Sequence, residues 1–389
     1  MGESTVAAPW VCGAAEQQGL WVAGWSPKCA RQRSQSSDAR TCKLSDTDIK
    51  RPSPLVHSMS CATCNFSEET VKSGGFRTME YDIIGDIHGQ ANKLRTLLAR
   101  VGYAERGGAL RHPERTAIFV GDFIDRGPHQ LETVRIVRPM VDAGSALAVI
   151  GNHEFNAVAW YLRDPDTSDE YLRPRAGELG KKNRHQHAAF LAEVEHVPDL
   201  HADAIGWFLS LPLWLDLPEL RVIQACWHPA FIAQLEPRLR PGRLLDKNLM
   251  IQASREGTAG FCQIETLLKG IDVKLPRGCS FQDKFGITRH EARTRWWDRS
   301  TITYRQAAFV PPGDRAQLPD TPIPEDARIG YAGDKPIFVG HYWMTGRPEI
   351  LSPTVACVDY SAGKGGPLVA YRWCGEAVLS SGNFISSDR

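Results

Sequence analysis

The sequence shows no surplus of either charge. Lysine and arginine together number 46 against 45 aspartate and glutamate, a formal net charge of +1 over 389 residues. That balance argues against a broad basic face for nucleic acid and against an acidic tail. Nor is there an apolar run long enough to cross a membrane. The nearest approach, "GWFLSLPLWLDLPELRVIQACW", is broken by Asp216, Glu219 and Arg221 and reads as core. The N-terminus lacks the charged, apolar and small-residue order of a secretory signal, so a cytoplasmic protein with reduced cysteines is expected. Internal repeats and long low-complexity tracts are missing too. Cys61 and Cys64 form a "CATC" pair, but no second pair stands at zinc-binding spacing.

What remains divides at Met79. Residues 1–78 are rich in Ser, Ala, Thr and Gly, hold five of the ten cysteines and follow no helical or strand period. The composition predicts a disordered extension. The abrupt onset of pattern at "MEYDIIGDIHG" also raises Met79 as the natural first residue, with upstream sequence before it.

From Met79 the pattern is α/β. "YDII" is a short strand, and "QANKLRTLLARVGY" places Leu94, Leu97, Leu98 and Val101 at i, i+3, i+4 and i+7, one helix face closed by Gly102. "AIFV" (117–120) is a second strand, "LETVRIVRPMVDAG" a second helix stopping near Gly144, and "ALAVI" a third strand. Alternating strands and helices predict βαβ units in a largely parallel sheet, whose ligands bind beyond the carboxyl ends of the strands. Residues 155–205 are charged and partly helical, like an insertion; residues 229–330, rich in Arg, Pro and Trp, suit a cap or lid. "ELRVIQACWH" and "KPIFVGH" are further strands ending in His228 and His341, and "TVACVDYSAGKGGPLVAYRW" is two strands joined by a glycine-rich turn.

Each of the first three strands ends in a polar cluster: "GDIHG", "GDFIDRG" and "GNHE". With the two later histidines, the strand ends offer Asp86, His88, Asp122, Asn152, His228 and His341. Carboxylates, an amide and imidazoles without thiolate suit a divalent metal such as Mn²⁺, Fe or Zn²⁺. Six donors exceed what one ion needs, whereas two ions about 3.5–4 Å apart with a shared water would use them all. Asp122, on the middle strand, is the candidate bridge. Two cations lower the pKa of a shared water until hydroxide exists near neutral pH. Arg126 offers planar donors that match phosphate oxygens. Asp125 would orient His153, the arrangement a general acid needs to protonate a leaving alkoxide. Glu154 is expected to stabilise the turn, Cys226 to pack, and His185 and His187 of "NRHQHAAF" to lie on a solvated helix face.

"GDIHG", "GDFIDRG" and "GNHE", followed by separated histidines in "WH" and "GH", resemble the phosphoprotein phosphatase branch of the calcineurin-like metallophosphoesterases. That branch includes serine/threonine protein phosphatases and bacterial symmetrical diadenosine tetraphosphatases. The likeness is close over residues 80–160, looser over 219–375 and absent before Met79. It implies one metallophosphoesterase domain over 79–389: a β-sandwich flanked by helices, with 155–205 and 229–330 as insertions or cap. It further implies one ion on Asp86, His88 and Asp122, and a second on Asp122, Asn152, His228 and His341. Arg126 would grip phosphate, His153 with Asp125 would serve the leaving group, and a second phosphate-binding arginine would be Arg299, with Arg295 in reserve. "GHYW" and the long inserts depart from the familiar protein phosphatases, which leaves the substrate open.

Three functions follow as expectations. The first is a metal-dependent phosphatase acting on phosphoserine or phosphothreonine in proteins. The second is a symmetrical dinucleoside tetraphosphate hydrolase, with Trp296, Trp297 or Trp343 as an aromatic wall for a base. The third is a non-catalytic phosphate-binding or scaffold protein. Packing in a lid or core is the plainer expectation for Trp343. Oligomeric state leaves no trace in the sequence.

Overall fold

The computed structural model describes residues 79–388 apart from 168, 283–285 and 311. The expectations for 1–78, the Cys61–Cys64 pair among them, lie outside the described residues.

The three strands read from the sequence form β1 (Glu80–Ile84), β2 (Arg115–Phe119) and β3 (Ala146–Ala148). They pair in parallel, β1 with β2 and β2 with β3. The crossovers carry α1 (Ala91–Arg100) and α2 (Gln130–Asp142). Both helices stop where expected, because Gly102 (φ 96°) and Gly144 (φ 68°) take the left-handed conformation that a side chain resists.

Four further strands make a second sheet: β4 (Trp214–Asp216), β5 (Arg221–Ile223), β6 (Ile337–Val339) and β7 (Val355–Cys357). Its order is β7–β6–β5–β4, with only β4 antiparallel to its neighbour. The chain then returns to the first sheet as β8 (Val369–Trp373) and β9 (Phe384–Ser386), giving the order β9–β8–β1–β2–β3. Both of these run antiparallel to their partners. The parallel expectation therefore holds for the strands that end in polar clusters and fails at β4, β8 and β9. Short connections, the hairpin after β4 and the turn after β8, account for β4 and β9; β8 itself lies inside the sheet, antiparallel to β1.

Period-two alternation decides which face does what. Tyr81 and Ile83 of β1 and Ile118 of β2 join Val222, Phe338 and Ala356 of the second sheet in one buried cluster. The rings of Phe338 and Tyr371 meet across it at 5.0 Å. The intervening residues Ile84, Ala117 and Phe119 face away, among Leu94, Leu97 and Val137 of the helices. A β-sandwich flanked by helices results. Truncating Phe338 to alanine would cost about 3–5 kcal/mol through the cavity left between the sheets. The polar residue of the first strand, Asp82, is fully buried and accepts from Arg115 and Arg372, each at 3.0 Å, so its charge is compensated.

Two expectations about the inserts change. Helix α3 (Asn152–Tyr161) is buried along most of its length, and α4 (Gly177–Gln186), α5 (Ala188–Val194) and α6 (Pro198–Phe208) follow it. Phe190, Trp207 and Phe208 are core. Beyond β5 come α7 (Pro229–Leu235), α8 (Lys247–Ala253) and α9 (Ala259–Lys269). Trp296 and Trp297 are buried, and the Trp296 indole N–H donates to the Ala225 carbonyl and the Tyr342 hydroxyl. Neither ring is a wall for a base; an indole with its N–H satisfied inside is core. Among the described residues no helix is long and apolar enough to cross a membrane.

Candidate metal centre

The loops after β1 and β2 are stitched together before any side chain acts. The N–H groups of Ile87 and His88 both donate to the Asp122 carbonyl (3.0 and 2.8 Å), and Gly127 N–H donates to the His88 carbonyl (3.0 Å). Glu154, in the first turn of α3, clamps the same loop. Its carboxylate accepts the N–H of Asp122, Phe123, Ile124 and Gly151 at 2.8–3.3 Å. Burial pushes its pKa to about 7, against the pull of those four bonds. The turn-stabilising part expected of Glu154 is the one it plays.

Tight stitching leaves strained backbone. Among the described residues, the non-glycine residues with positive φ are His88, Asp122, Asp125, Arg126, His341, Trp343, Ser361 and Arg243, and only Arg243 lies away from this centre. Strain gathered in one place marks a site where position is worth more than comfort. Two glycines make the close approach possible. A Cβ on Gly340 would fall 2.0 Å from Asp86 Oδ1, and one on Gly151 would fall 2.2 Å from Asp122 Oδ1.

The donors then face one another. His88 donates Nδ1–H to the Ile124 carbonyl at 3.0 Å, which leaves the Nε2 lone pair 3.7 Å from Asp122 Oδ2. That carbonyl fixes the tautomer a metal requires. Asp122 Oδ1 accepts the His153 N–H at 2.9 Å. Asp86 Oδ2 accepts the His341 N–H (2.9 Å) and the Gln224 amide (3.3 Å). His341 Nδ1 meets Asn152 Oδ1 at 2.8 Å. Asp86, His88, Asp122, Asn152 and His341 thus come together from four strand ends, the first two on one loop.

Two buried atoms in this group, Asp86 Oδ1 and His88 Nε2, have no hydrogen-bond partner. Their electrostatics agree with their geometry. Burial, then Asp359 and Asp122, push Asp86 well above the usual carboxylate range; burial and Glu154 do the same to Asp122. Burial, then His153 and Arg126, hold His88 well below the usual imidazole range, and burial with Arg293 does so for His341. Crowded carboxylates that call for positive charge, beside imidazoles kept neutral, are what a divalent cation fits.

His228 caps α7: its Nδ1 accepts the Phe231 N–H at 3.3 Å while the ring stacks on Phe231 at 3.8 Å. Nε2 is the nitrogen it can offer a metal.

Asp125, His153 and Arg126 stand alongside. Asp125 Oδ2 lies 2.6 Å from His153 Nδ1. The Arg126 guanidinium lies 4.3 Å from the centre of the Trp343 ring, which itself stacks on His88 at 5.2 Å. Trp343 is half-buried, with its backbone N–H donated to Asp359 Oδ2 at 2.7 Å. Packing against His88 and the Arg126 guanidinium is thus its first job.

Three side chains stand otherwise than the sequence suggested. Arg299 is exposed with its side chain against Gly330, and Arg295 serves the Gln306 carbonyl. Arg293 is the arginine that reaches the centre, 2.8 Å from His341 Nε2 and paired to both carboxylate oxygens of Asp272. Its hairpin strand, Glu291–Arg293, is too short to carry a periodic signal. His187, expected in solvent, is fully buried with Nδ1 2.7 Å from Asp125 Oδ2. A signal existed: His187, Phe190, Leu191 and Val194 are spaced i, i+3, i+4 and i+7, and all four are buried. His185 is exposed, as expected.

Residues 79–225 match the family model of the calcineurin-like phosphoesterases. The chain is 47% identical over 146 residues to an asymmetrical bis(5'-nucleosyl)-tetraphosphatase of Halalkalibacterium halodurans, covering 37% of this chain and 55% of the relative. A symmetrical bis(5'-nucleosyl)-tetraphosphatase of Shewanella baltica is 31% identical over 148 residues, 38% of this chain and 43% of that one. The chain therefore spans about half the length of these relatives. Among solved structures, a cold-active protein-tyrosine phosphatase of a psychrophilic Shewanella aligns over 80% of both chains at 18% identity with a TM-score of 0.39. That likeness is too distant to carry weight.

Proposed function

From a chain that carries a calcineurin-like metallophosphoesterase domain over residues 79–225, we propose a metal-dependent hydrolase of phosphate esters or phosphoanhydrides. The observation that carries the proposal is the convergence of unpartnered Asp86 Oδ1 and His88 Nε2 on Asp122, with Arg126 and the Asp125–His153 pair beside them. Asp86, His88 and Asp122 would hold one divalent ion; Asp122, Asn152, His228 and His341 a second. Manganese is the first candidate and iron or zinc fit the same donors. When bound, the ions supply charge and acidify water at neutral pH.

The chain's own residues do the rest. Arg126, whose buried Nε has no partner, presents its fork to phosphate oxygens. Asp125 fixes the His153 ring through Nδ1 and turns Nε2 toward the leaving oxygen. Burial lowers the His153 pKa to about 4, and a phosphate dianion at the site favours the protonated ring that can give up a proton. The backbone N–H of His153 at the α3 N-terminus holds Asp122 in place.

The first substrate is a protein phosphoserine or phosphothreonine, in a cytoplasmic enzyme. A dinucleoside tetraphosphate is the second reading, favoured by the two relatives that bear that name and by the half-exposed Trp343 next to Arg126. Turnover of Mn²⁺-loaded protein on a phosphothreonine peptide and on diadenosine tetraphosphate decides between them. Absence of turnover on both, and on 4-nitrophenyl phosphate, would leave the scaffold reading standing.

A further inference from the structure

His187 comes from outside every motif that builds the centre. It lies at the junction of α4 and α5 with φ −100° and ψ 11°, where one helix ends and the next begins. The junction turns its ring inward, on the face that Phe190, Leu191 and Val194 bury. From there Nδ1 reaches the same carboxylate oxygen that His153 uses: 2.7 Å for His187 and 2.6 Å for His153. The two rings stand 6.3 Å apart at 81°, edge to face. Asp125 Oδ1 is buried without a partner, so both donors converge on one oxygen.

We infer that His187 is a positioning residue for the acid pair: by donating Nδ1–H to Asp125 Oδ2 it fixes the carboxylate that in turn aims His153. The inference rests on the proposed hydrolysis and names a further residue of that site. A carboxylate bound by one donor can pivot about that bond. Two donors from different directions on one oxygen remove the pivot, and two lone pairs suffice for both bonds. Burial alone would raise the Asp125 carboxyl, yet the two histidines, His187 first, hold it well below the usual range, as a carboxylate bound by both would be. The buried Nε2 of His187 has no partner, so Nδ1 is the nitrogen through which the ring acts. Since the hydrogen bond crosses from an α4–α5 helix junction to a strand end, these helices help set the chemistry as well as the core.

Two variants separate positioning from packing. His187→Asn keeps an N–H near the Nδ1 position and loses the ring; His187→Phe keeps the ring and loses the donor. Each is tested with Mn²⁺ on two esters: 4-nitrophenyl phosphate, whose leaving group needs little protonation, and a phosphothreonine peptide, whose alkoxide needs it. A positioning role predicts that His187→Phe loses about tenfold to a hundredfold in kcat on the peptide, a part of what general acid catalysis contributes. The aryl ester should fall by less than about threefold on the same reasoning, and His187→Asn should recover most of the loss on the peptide. Equal losses on both esters, no loss on either, or better rescue by Phe than by Asn would overturn the inference. A readout independent of turnover accompanies these assays. In ¹⁵N-edited NMR of the full chain, His153 and His187 should each give a downfield imidazole N–H signal in addition to that of His88, and His187→Phe should remove one and shift that of His153. If wild-type protein hydrolyses neither ester, the proposed function fails while the NMR result still decides the bond; a His187→Phe spectrum that keeps every downfield imidazole signal of the wild type would overturn it.

Discussion

Two stretches of the chain build the centre by different means. Between residues 85 and 154, Asp86, His88, Asp122, Asp125, Arg126, Asn152 and His153 arrive in three short runs, the first two bonded backbone to backbone and the third through the Asp122 and Glu154 carboxylates. Between 187 and 341, His187, Arg293 and His341 arrive singly, from a helix junction, a hairpin strand and a strand end, and His228, proposed as a further donor, caps a helix. In the first stretch position is imposed locally, by positive φ, close glycines and the Glu154 clamp. In the second, His341 shares those devices, with φ 69° and Gly340 before it, while the others inherit position from the packing of whole elements. The early stretch should therefore hold the acid pair and the phosphate fork of the proposed chemistry, and the late one the remaining proposed metal donors and the supports that set its geometry.

The sharpest way to break this comparison is Asp122→Asn. The exchange keeps the shape but removes the charge on which both proposed ions depend, so turnover should fall about a thousandfold or more while the fold survives. Steady-state assays with circular dichroism as control check it. Retained turnover would remove the dinuclear assignment.

The next effect concerns protons. A histidine whose pKa is about 4 when folded, against 6.5 for an ordinary one, binds fewer protons in the native state than in the unfolded one. Its contribution to stability is whole above about pH 6.5 and is lost as the pH falls toward 4, by up to about 3 kcal/mol. Urea midpoints of metal-free protein across that window should fall more steeply for wild type than for His153→Gln. Parallel slopes would mean that His153 is not held neutral.

How much of this was legible follows from the same contrast. The early residues were readable because carboxylates, histidines and glycines crowd into loops that directly follow apolar strands, and short-range spacing survives folding. The parallel strands, both helix stops at Gly102 and Gly144, and the flanked sandwich were legible too. The antiparallel edges were not, because they depend on connection length. His187 was read as solvated because histidine is polar, although its spacing with Phe190, Leu191 and Val194 placed it on the buried face. The arginine was put at Arg299 because residues 293–299 offer three arginines and nothing local says which points inward. Trp296 and Trp297 hold the core between them.

Arg293→Ala tests the late stretch. Its guanidinium bonds His341 and forks onto Asp272, so its loss should loosen His341 and leave the Asp272 carboxylate without its partner. Removing such an outer partner typically weakens metal binding about 10- to 100-fold, readable as the Mn²⁺ concentration at half-maximal activity. Lysine cannot reproduce the fork, so Arg293→Lys should recover little. An unchanged Mn²⁺ requirement would detach Arg293 from the centre.

The smallest effect is the most instructive, because it is expected where the family likeness placed a phosphate ligand. Arg299 is exposed and lies along Gly330, so Arg299→Ala should leave kcat and KM within about twofold, the usual reach of a surface substitution. Surface packing alone is at stake, since a Cβ on Gly330 would collide with the Arg299 stem at 2.0 Å. A rise in KM by tenfold or more would mean that substrate draws the 293–299 segment over the site on binding. That result would move Arg299 from the scaffold to the chemistry, and with it the boundary drawn between the two stretches.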